Sequence, residues 1–161
     1  MTALERPTMD MTLLATAFVM ARRGTCSRAQ VGCVVALDGR ILSTGYNGTP
    51  RGMAHCEHAD VEPCATSVHA EANAVAFAAR HGVGLDGSVL YTTLSPCVVC
   101  AQLAVNAGIV RVVCAKVYRN TDGLDLLLRA SVAVDVLSDG QPVVQALTPD
   151  EVADLTGWDV Q

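Results

Sequence analysis

The chain has 161 residues, of which 51% are hydrophobic and 17% charged, a composition typical of one compact domain. Its 11 basic and 16 acidic residues give a net charge of -5, and the basic residues are scattered rather than gathered into a stripe. This charge pattern disfavours a duplex DNA or a long RNA as a partner, and the aromatic fraction of only 4% disfavours a base-stacking platform for single strands, whereas a small anion held by a few side chains is compatible with the sequence.

The seven cysteines are interpreted from the expected compartment. No apolar run reaches the roughly 18 residues that a membrane span needs, and the opening MTALERPTMDMT lacks the basic and then apolar pattern of a secretory signal. We therefore expect a cytoplasmic protein without membrane contact, in which cysteines are metal ligands or small buried side chains rather than disulfides. Cys33 and Cys114 lie in apolar runs typical of strands, which predicts that both belong to the core.

The secondary structure is predicted in chain order from periodicity and turn residues. A helix over residues 10–22 has Asp10 as its N-cap and ends before Gly24, and the strands QVGCVVAL and RILSTGY follow, joined by an Asp-Gly hairpin turn. A long loop rich in His and Cys covers residues 47–67. The remaining elements are the helix HAEANAVAFAARHG, the strand GSVLYTTL, the helix CVVCAQLAVNAG, the strand IVRVVCAK, the helix GLDLLLRA, the strand VAVDVL and a short tail helix, TPDEVADLTGW.

This order of elements predicts the fold class. The sequence α-β-β-α-β-α-β-α-β is typical of an α/β protein, here a three-layer α-β-α sandwich around a five-stranded mixed sheet. We expect a single domain over residues 1–161, with a core over about residues 10–137 and a tail over residues 138–161 whose role the sequence does not indicate.

Two predicted helix starts carry metal-ligating side chains. His69 opens the helix of SVHAEANAV, and Cys97 and Cys100 lie one turn apart at the start of the helix after Pro96. One strand separates the two helices, so their first turns can meet at one edge of the sheet. An imidazole and two thiols, whose pKa a helix N-terminus lowers, supply three ligands of a tetrahedral zinc ion and leave the fourth position open to water, as in catalytic zinc sites.

Glu71 lies two residues after His69 and completes this set. A carboxylate at this spacing reaches the water without binding zinc, so it can take a proton from the water and return it to a leaving group. The alternatives are a structural zinc site, a redox Cys-x-x-Cys pair or an inactive zinc-binding scaffold, none of which needs an acid at position 71. The set matches the H-x-E…P-C-x-x-C signature of zinc-dependent nucleobase deaminases.

The resemblance extends beyond that signature. The segments CSRAQVGCVV, STGYNGTPRG, SVHAEANAV and LYTTLSPCVVCAQLAVNAGIVRVV, with the tyrosine of AKVYRN, resemble the deoxycytidylate (dCMP) deaminase family. The resemblance implies a cytidine-deaminase-like fold and zinc-dependent hydrolysis of dCMP to dUMP and ammonia, which supplies dUMP for thymidylate synthesis. It also implies zinc held by His69, Cys97 and Cys100, with Glu71 moving protons.

The resemblance implies the substrate contacts as well. Asn47 is expected to touch the sugar or the base, and the backbone of Ala70 and Ser95 to bracket the pyrimidine through an N–H and a carbonyl group. The donors implied for the 5′-phosphate are Ser27, Arg28, Tyr118 and Arg119. A guanidinium suits phosphate because its planar fork binds two oxygens, although for both arginines an ordinary surface position is the alternative.

The long loop suggests a second metal site. Some members of the resembled family carry an additional structural zinc in this region, and the candidate ligands here are Cys26, Cys56, Cys64, His55 and His58. The alternative is a flexible loop with free thiols, because the spacing does not match a standard zinc ribbon or knuckle.

Effectors and assembly are implied only by the resemblance. Many family members are homohexamers that dCTP activates and dTTP inhibits, and the effector contacts are expected near Gly48, Arg51 and Gly52 in NGTPRG. A dimer and an unregulated enzyme are the alternatives.

Two other activities share the zinc set. A tRNA adenosine deaminase is disfavoured by the acidic charge and the few aromatic residues. A deaminase of a free base, a nucleoside or a modified dCMP is harder to distinguish from a dCMP deaminase by sequence.

Overall fold

The computed structural model describes residues 6–56, 64–138 and 141–142. These residues contain four helices and six strands, and the strands form one mixed sheet in the order β2-β1-β3-β4-β5-β6. The elements are α1 (Met9–Ala21), β1 (Gly32–Leu37), β2 (Arg40–Tyr46), α2 (Ala70–Arg80), β3 (Val89–Thr92), α3 (Val98–Asn106), β4 (Arg111–Cys114), α4 (Asp122–Arg129), β5 (Ala133–Ser138) and β6 (Gln141–Pro142). The predicted α/β sandwich with a five-stranded mixed sheet is confirmed, and β6 extends it by two residues. The predicted tail helix lies outside the described residues.

The sheet separates two apolar clusters. Adjacent residues of a strand point to opposite faces, so Val34 packs with Leu13 and Ala17 of α1, whereas Val35 packs with the helices α2, α3 and α4. Cys33 and Cys114 are fully buried, as predicted. In the described part of the chain no helix is long and apolar enough to cross a bilayer, and the compartment stays a prediction.

Strand pairing explains why two distant helices begin side by side. β1 pairs antiparallel with both β2 and β3, and Gly32 at its start lies opposite Tyr46, while Cys33 lies opposite Thr92. The carboxyl ends of β2 and β3 therefore flank the start of β1 at one edge of the sheet. From these two ends the chain runs to α2 and to α3. The Asp-Gly turn between β1 and β2 is confirmed as a hairpin, with both residues at positive φ.

The first helix begins differently from the prediction. Its N-cap is Thr8, whose side-chain oxygen accepts from the backbone N–H of Met11 at 3.2 Å, so the prediction of Asp10 as N-cap was wrong. Asp10 lies in the first turn, where its carboxylate accepts from two guanidinium nitrogens of Arg111, at 3.1 and 2.8 Å, and from the Tyr91 hydroxyl at 2.7 Å. These bonds fasten α1 to β3 and β4.

Replacing Asp10 by asparagine is expected to lower the free energy of unfolding at pH 7 by about 1–2 kcal/mol, after allowance for solvent screening of a partly exposed pair. Hydrogen bonds from Arg111 hold the pKa of Asp10 below its usual value, although partial burial opposes this. The folded pKa is thus below the unfolded one, so this stabilisation is complete above the unfolded pKa and is lost as the pH falls through the folded pKa.

Thermal unfolding of both proteins from pH 7 down to pH 2 measures this effect, and the difference in Tm is expected to shrink below about pH 4. Asp125→Asn is the matched control, because its ion pair with Arg129 is largely exposed and lies within one helix. Equal stability of Asp10→Asn and the wild type at pH 7 would show that the network contributes nothing.

Candidate metal and substrate site

Three metal-ligating side chains meet where α2 and α3 begin. His69 is the N-cap of α2 and Cys97 the N-cap of α3, while Cys100 lies in the first turn of α3. The Nδ1 atom of His69 lies 3.5 Å from the sulfur of Cys97 and 3.5 Å from that of Cys100. Donor atoms bound to one tetrahedral zinc ion at about 2.0–2.3 Å lie about 3.6 Å apart, so these three atoms fit zinc.

The local structure leaves these side chains available for a metal. Among the described contacts neither N-cap side chain hydrogen-bonds to its own helix, and the imidazole faces the two sulfurs. The expectation that the helix start lowers the pKa of both thiols was wrong for Cys100. Burial and the neighbouring Glu71 carboxylate raise the pKa of the Cys100 thiol. Metal binding to such a thiol releases its proton.

Glu71 lies inside this arrangement. It belongs to the first turn of α2 and is only 4% exposed. Burial raises the pKa of its carboxyl, against the opposing effects of a backbone N–H, the His69 charge and a hydrogen bond from Cys100. A carboxyl whose pKa is shifted towards neutrality exchanges protons readily, as a general acid and base must.

A cavity of about 370 Å³ adjoins two of the three ligands, His69 and Cys97, while Cys100 lies buried behind its described wall. The cavity has a volume within the usual size range of small-molecule sites. Of the predicted residues, its wall contains His69, Ala70, Glu71, Cys97, Arg28, Asn47, Ser95 and Tyr118. It also contains residues that the sequence did not single out for the substrate, namely Cys26, Ala29, Val31, Cys64, Ser67 and Leu94. The described part of the wall does not include Ser27 or Arg119, and the Arg119 guanidinium lies 6.0 Å from the centre of the Tyr118 ring.

Asn47 has a structural task that the sequence did not reveal. Its amide nitrogen donates to the carbonyl of Ala29 at 2.7 Å, and its amide oxygen accepts from the N–H of Val31 at 2.8 Å. The side chain therefore holds the segment that follows Arg28 against the end of β2. This adds to the contact with sugar or base expected from the resemblance, which stays a prediction.

Ser95 likewise joins two parts of the cavity wall. Its hydroxyl oxygen accepts from the N–H of Tyr118 at 2.8 Å, and its own N–H donates to the carbonyl of Lys116 at 2.8 Å. The turn before Cys97 is thus tied to the segment that carries Tyr118. No local pattern in the sequence indicates this link, because the two residues are 23 positions apart.

The second predicted metal site is partly assembled. Cys26, Cys56 and Cys64 bring their sulfurs within 4.8 Å of one another; among the described residues His55 is not part of this group, and His58 lies outside them. Burial opposes ionisation of Cys64, but hydrogen bonds from Thr66 and neighbouring groups outweigh it and lower the pKa of this thiol to about 6. Burial and the adjacent thiols raise the pKa of Cys56 to about 11.

The proposed effector residues have different surroundings. Gly48 is buried, and both its backbone N–H and its carbonyl pair with Val68, at 3.1 and 2.8 Å. A side chain at Gly48 would overlap the Thr25 hydroxyl. The backbone of Gly48 is therefore engaged in the fold rather than presented to a phosphate, whereas Arg51 and Gly52 lie exposed on the following turn.

The fold and the three-ligand site with its buried carboxylate define a class, the zinc-dependent deaminases of nucleobases. The chain belongs to the cytidine and deoxycytidylate deaminase family, since the model of that family's zinc-binding region matches residues 7–116. The resemblance seen in the sequence is thereby confirmed, and so is zinc as the cofactor.

Relatives and solved structures agree with this family. ComE operon protein 2 of Bacillus subtilis (strain 168) is 30% identical, over 96% of this chain and 84% of its own length. Deoxycytidylate deaminase of Enterobacteria phage T4 is 31% identical, over 73% of this chain and 83% of its own. The structure of dCMP deaminase from cyanophage S-TIM5 in complex with dCMP and dUMP is 35% identical, covers 83% of this chain and 99% of that one, and superposes with a TM-score of 0.77.

Proposed function

We propose that this protein hydrolyses dCMP to dUMP and ammonia and so supplies dUMP for thymidylate synthesis. The observation that carries the proposal is one cavity whose wall holds two of the metal-ligating residues, His69 and Cys97, together with Glu71 and with Arg28, a donor for a phosphate. The T4 relative is named for deamination of this nucleotide, and the S-TIM5 enzyme has been solved with substrate and product.

His69, Cys97 and Cys100 are the residues that would hold zinc, which supplies a Lewis acid able to activate water at neutral pH. Water adds to C4 of the cytosine, the bond from C4 to the amino nitrogen breaks, and that nitrogen leaves as ammonia. Glu71 takes a proton from the attacking water and returns it to the departing amine, so the carboxylate is regenerated in each turnover.

The backbone at the two helix starts orients the base. Ala70 is the first residue of α2, and the first N–H groups of a helix have no intrahelical partner, so its N–H is available to the pyrimidine carbonyl. Ser95 lies on the cavity wall before Pro96, where its carbonyl can accept from the amino group. Arg28 and Tyr118 bind the 5′-phosphate, while the contacts of Ser27 and Arg119 stay predictions.

A deamination assay tests this function, following the loss of cytosine absorbance with dCMP, CMP, deoxycytidine and dCTP side by side. A marked preference for dCMP is the expected result. Activity confined to another of these substrates would keep the zinc chemistry and overturn the assignment to dCMP, and inactivity of zinc-loaded protein on all four would overturn both.

A second zinc ion is the next part of the proposal, supported by the three sulfurs of Cys26, Cys56 and Cys64. Fully loaded protein is expected to contain two zinc ions per chain by elemental analysis, and Cys64→Ser to contain one. His55→Ala is expected to keep two, because among the described residues His55 is not part of the group formed by the three sulfurs. His58→Ala tests His58 as the fourth ligand. One zinc ion per chain in the wild type would contradict the second site.

The protein is also expected to assemble into an oligomer and to respond to nucleotide effectors. We expect a homohexamer, with a dimer as the alternative, that dCTP activates and dTTP inhibits. Apolar side chains stand exposed on the helices α2 and α3, including Phe77 at 53% and Val99 at 62%, and this supports burial against another copy. Light scattering after size exclusion measures the assembly, and assays with each effector measure the response. A monomer that is indifferent to both effectors would contradict this part alone.

A further inference from the structure

Each helix start that carries a proposed zinc ligand rests directly against a glycine of another element. Gly123 lies in the first turn of α4, and a Cβ atom there would overlap the carbonyl oxygen of Pro96 and lie 2.8 Å from the carbonyl carbon and 3.0 Å from the carbonyl oxygen of Cys97. Cβ atoms in proteins essentially never lie this close to backbone atoms, so an alanine at position 123 would force the backbone to move.

The start of α2, which follows His69, lies equally close to a glycine of β2. A Cβ atom at Gly45 would overlap the carbonyl oxygen of Ala70, the residue after His69, and lie 2.7 Å from the backbone nitrogen of Ala74. The two elements are further joined by the Ser43 hydroxyl, which donates to the carbonyl of Ala74 at 2.7 Å. The helix that carries His69 is thus seated on the strand at backbone contact distance.

The contact at Gly123 cannot relax by moving either of its two sides away. In α4 the next residue, Leu124, and Leu127 are fully buried, so this helix cannot withdraw without opening the core. The turn opposite is tied to another segment by the two hydrogen bonds of Ser95. Glycine is the least favourable helix residue after proline, so its presence at position 123 is understandable where nothing larger fits.

We propose that Gly45 and Gly123 are positioning residues of the metal centre, which together set the separation between the His69 imidazole and the Cys97 sulfur. The inference rests on the proposed zinc ligands. The atoms His69 Nδ1 and Cys97 Sγ are 3.5 Å apart, and zinc tolerates deviations of only about 0.2 Å in its bond lengths. A side chain at either glycine would displace one ligand by more than this tolerance.

The test is the zinc-release rate of Gly123→Ala and Gly45→Ala in the presence of a chelating dye. When zinc is released in more than one kinetic phase, the phase that belongs to this site is the one that is absent from Cys97→Ala. Each glycine variant is expected to release this zinc about 10- to 100-fold faster than the wild type, the range typical of lost support around metal ligands. The increase in Tm on zinc binding is expected to shrink in parallel.

Two glycine controls separate positioning from general destabilisation. A Cβ atom at Gly32 would overlap the carbonyl oxygen of Ala17 and lie 2.5 Å from the nitrogen of Ala21, an equally severe clash, but with α1 on the other face of the sheet. Gly32→Ala is therefore expected to lower Tm with and without zinc alike and to raise the release rate less than Gly45→Ala or Gly123→Ala does. At Gly84 a Cβ atom meets no described atom within 4 Å, so Gly84→Ala is expected to behave as the wild type.

The outcomes are separable from those of the proposed function. Wild-type release rates in Gly123→Ala and Gly45→Ala would overturn the inference, and so would equally fast release from Gly32→Ala. If one glycine variant does not fold, the other decides by the same measurement. If both fold only when zinc is added, the zinc concentration needed for half-maximal refolding decides, and a value equal to that of the wild type would overturn the inference. Absence of a Cys97-dependent zinc from the wild type would instead contradict the proposed ligands.

Discussion

Replacing Glu71 by glutamine is expected to lower kcat for dCMP by about 10²- to 10⁴-fold while the zinc content stays at its wild-type value. The amide has nearly the shape of the carboxyl group, so it fills the same buried position in the first turn of α2. It cannot accept a proton from water and return it to the leaving amine, and both transfers belong to the proposed reaction. The loss therefore falls on the chemical step rather than on folding or metal binding.

Steady-state kinetics with dCMP and elemental analysis of the same preparations measure this prediction. Asp122→Asn is the matched control, because it makes the same carboxyl-to-amide change at an exposed position outside the described cavity wall. Its kcat is expected to stay within about twofold of the wild type. Deamination at the wild-type rate by zinc-loaded Glu71→Gln would show that another group moves the proton.

The element order followed from local patterns, because apolar periodicity, glycines after helices and the Asp-Gly turn act over a few residues. The wrong N-cap prediction for the first helix arose from a contact between residues that are far apart in the sequence. Asp10 resembles an N-cap in the sequence, but its partner Arg111 is 101 residues away and no local pattern reveals it. Thr8, two residues earlier, caps the helix instead.

At the site, too, local patterns were visible in the sequence and contacts between distant residues were not. The spacing of His69, Glu71, Cys97 and Cys100 was visible because each pair lies within one helix turn, and the family match confirms the resemblance that this spacing carried. The individual roles of these residues stay predictions. The links made by Asn47 and Ser95, like the backbone contacts at the two glycines, join segments that meet only after folding, so the sequence could not indicate them.

Replacing Arg28 by alanine is expected to raise KM for dCMP by about 10- to 100-fold and to change kcat/KM for deoxycytidine by less than about twofold. A hydrogen bond to a charged group contributes about 1.5–3 kcal/mol, and each 1.4 kcal/mol corresponds to about tenfold in affinity. Arg28 lines the cavity, and the backbone that follows it is held by Asn47, so its loss removes a donor without releasing the loop. Arg28→Lys keeps the charge but loses the planar fork, so an intermediate effect is expected.

Kinetics with both substrates measure this effect, and Arg23→Ala is the control, since it removes an exposed arginine near the end of α1 that the described cavity wall does not contain. Equal losses on dCMP and deoxycytidine in Arg28→Ala would show that the guanidinium supports the cavity without binding phosphate. Glu71→Gln is expected to behave differently from Arg28→Ala, because loss of the proton shuttle lowers kcat for dCMP and deoxycytidine alike. Only an anion contact makes the loss depend on the 5′-phosphate, so the two variants together separate nucleotide recognition from deamination.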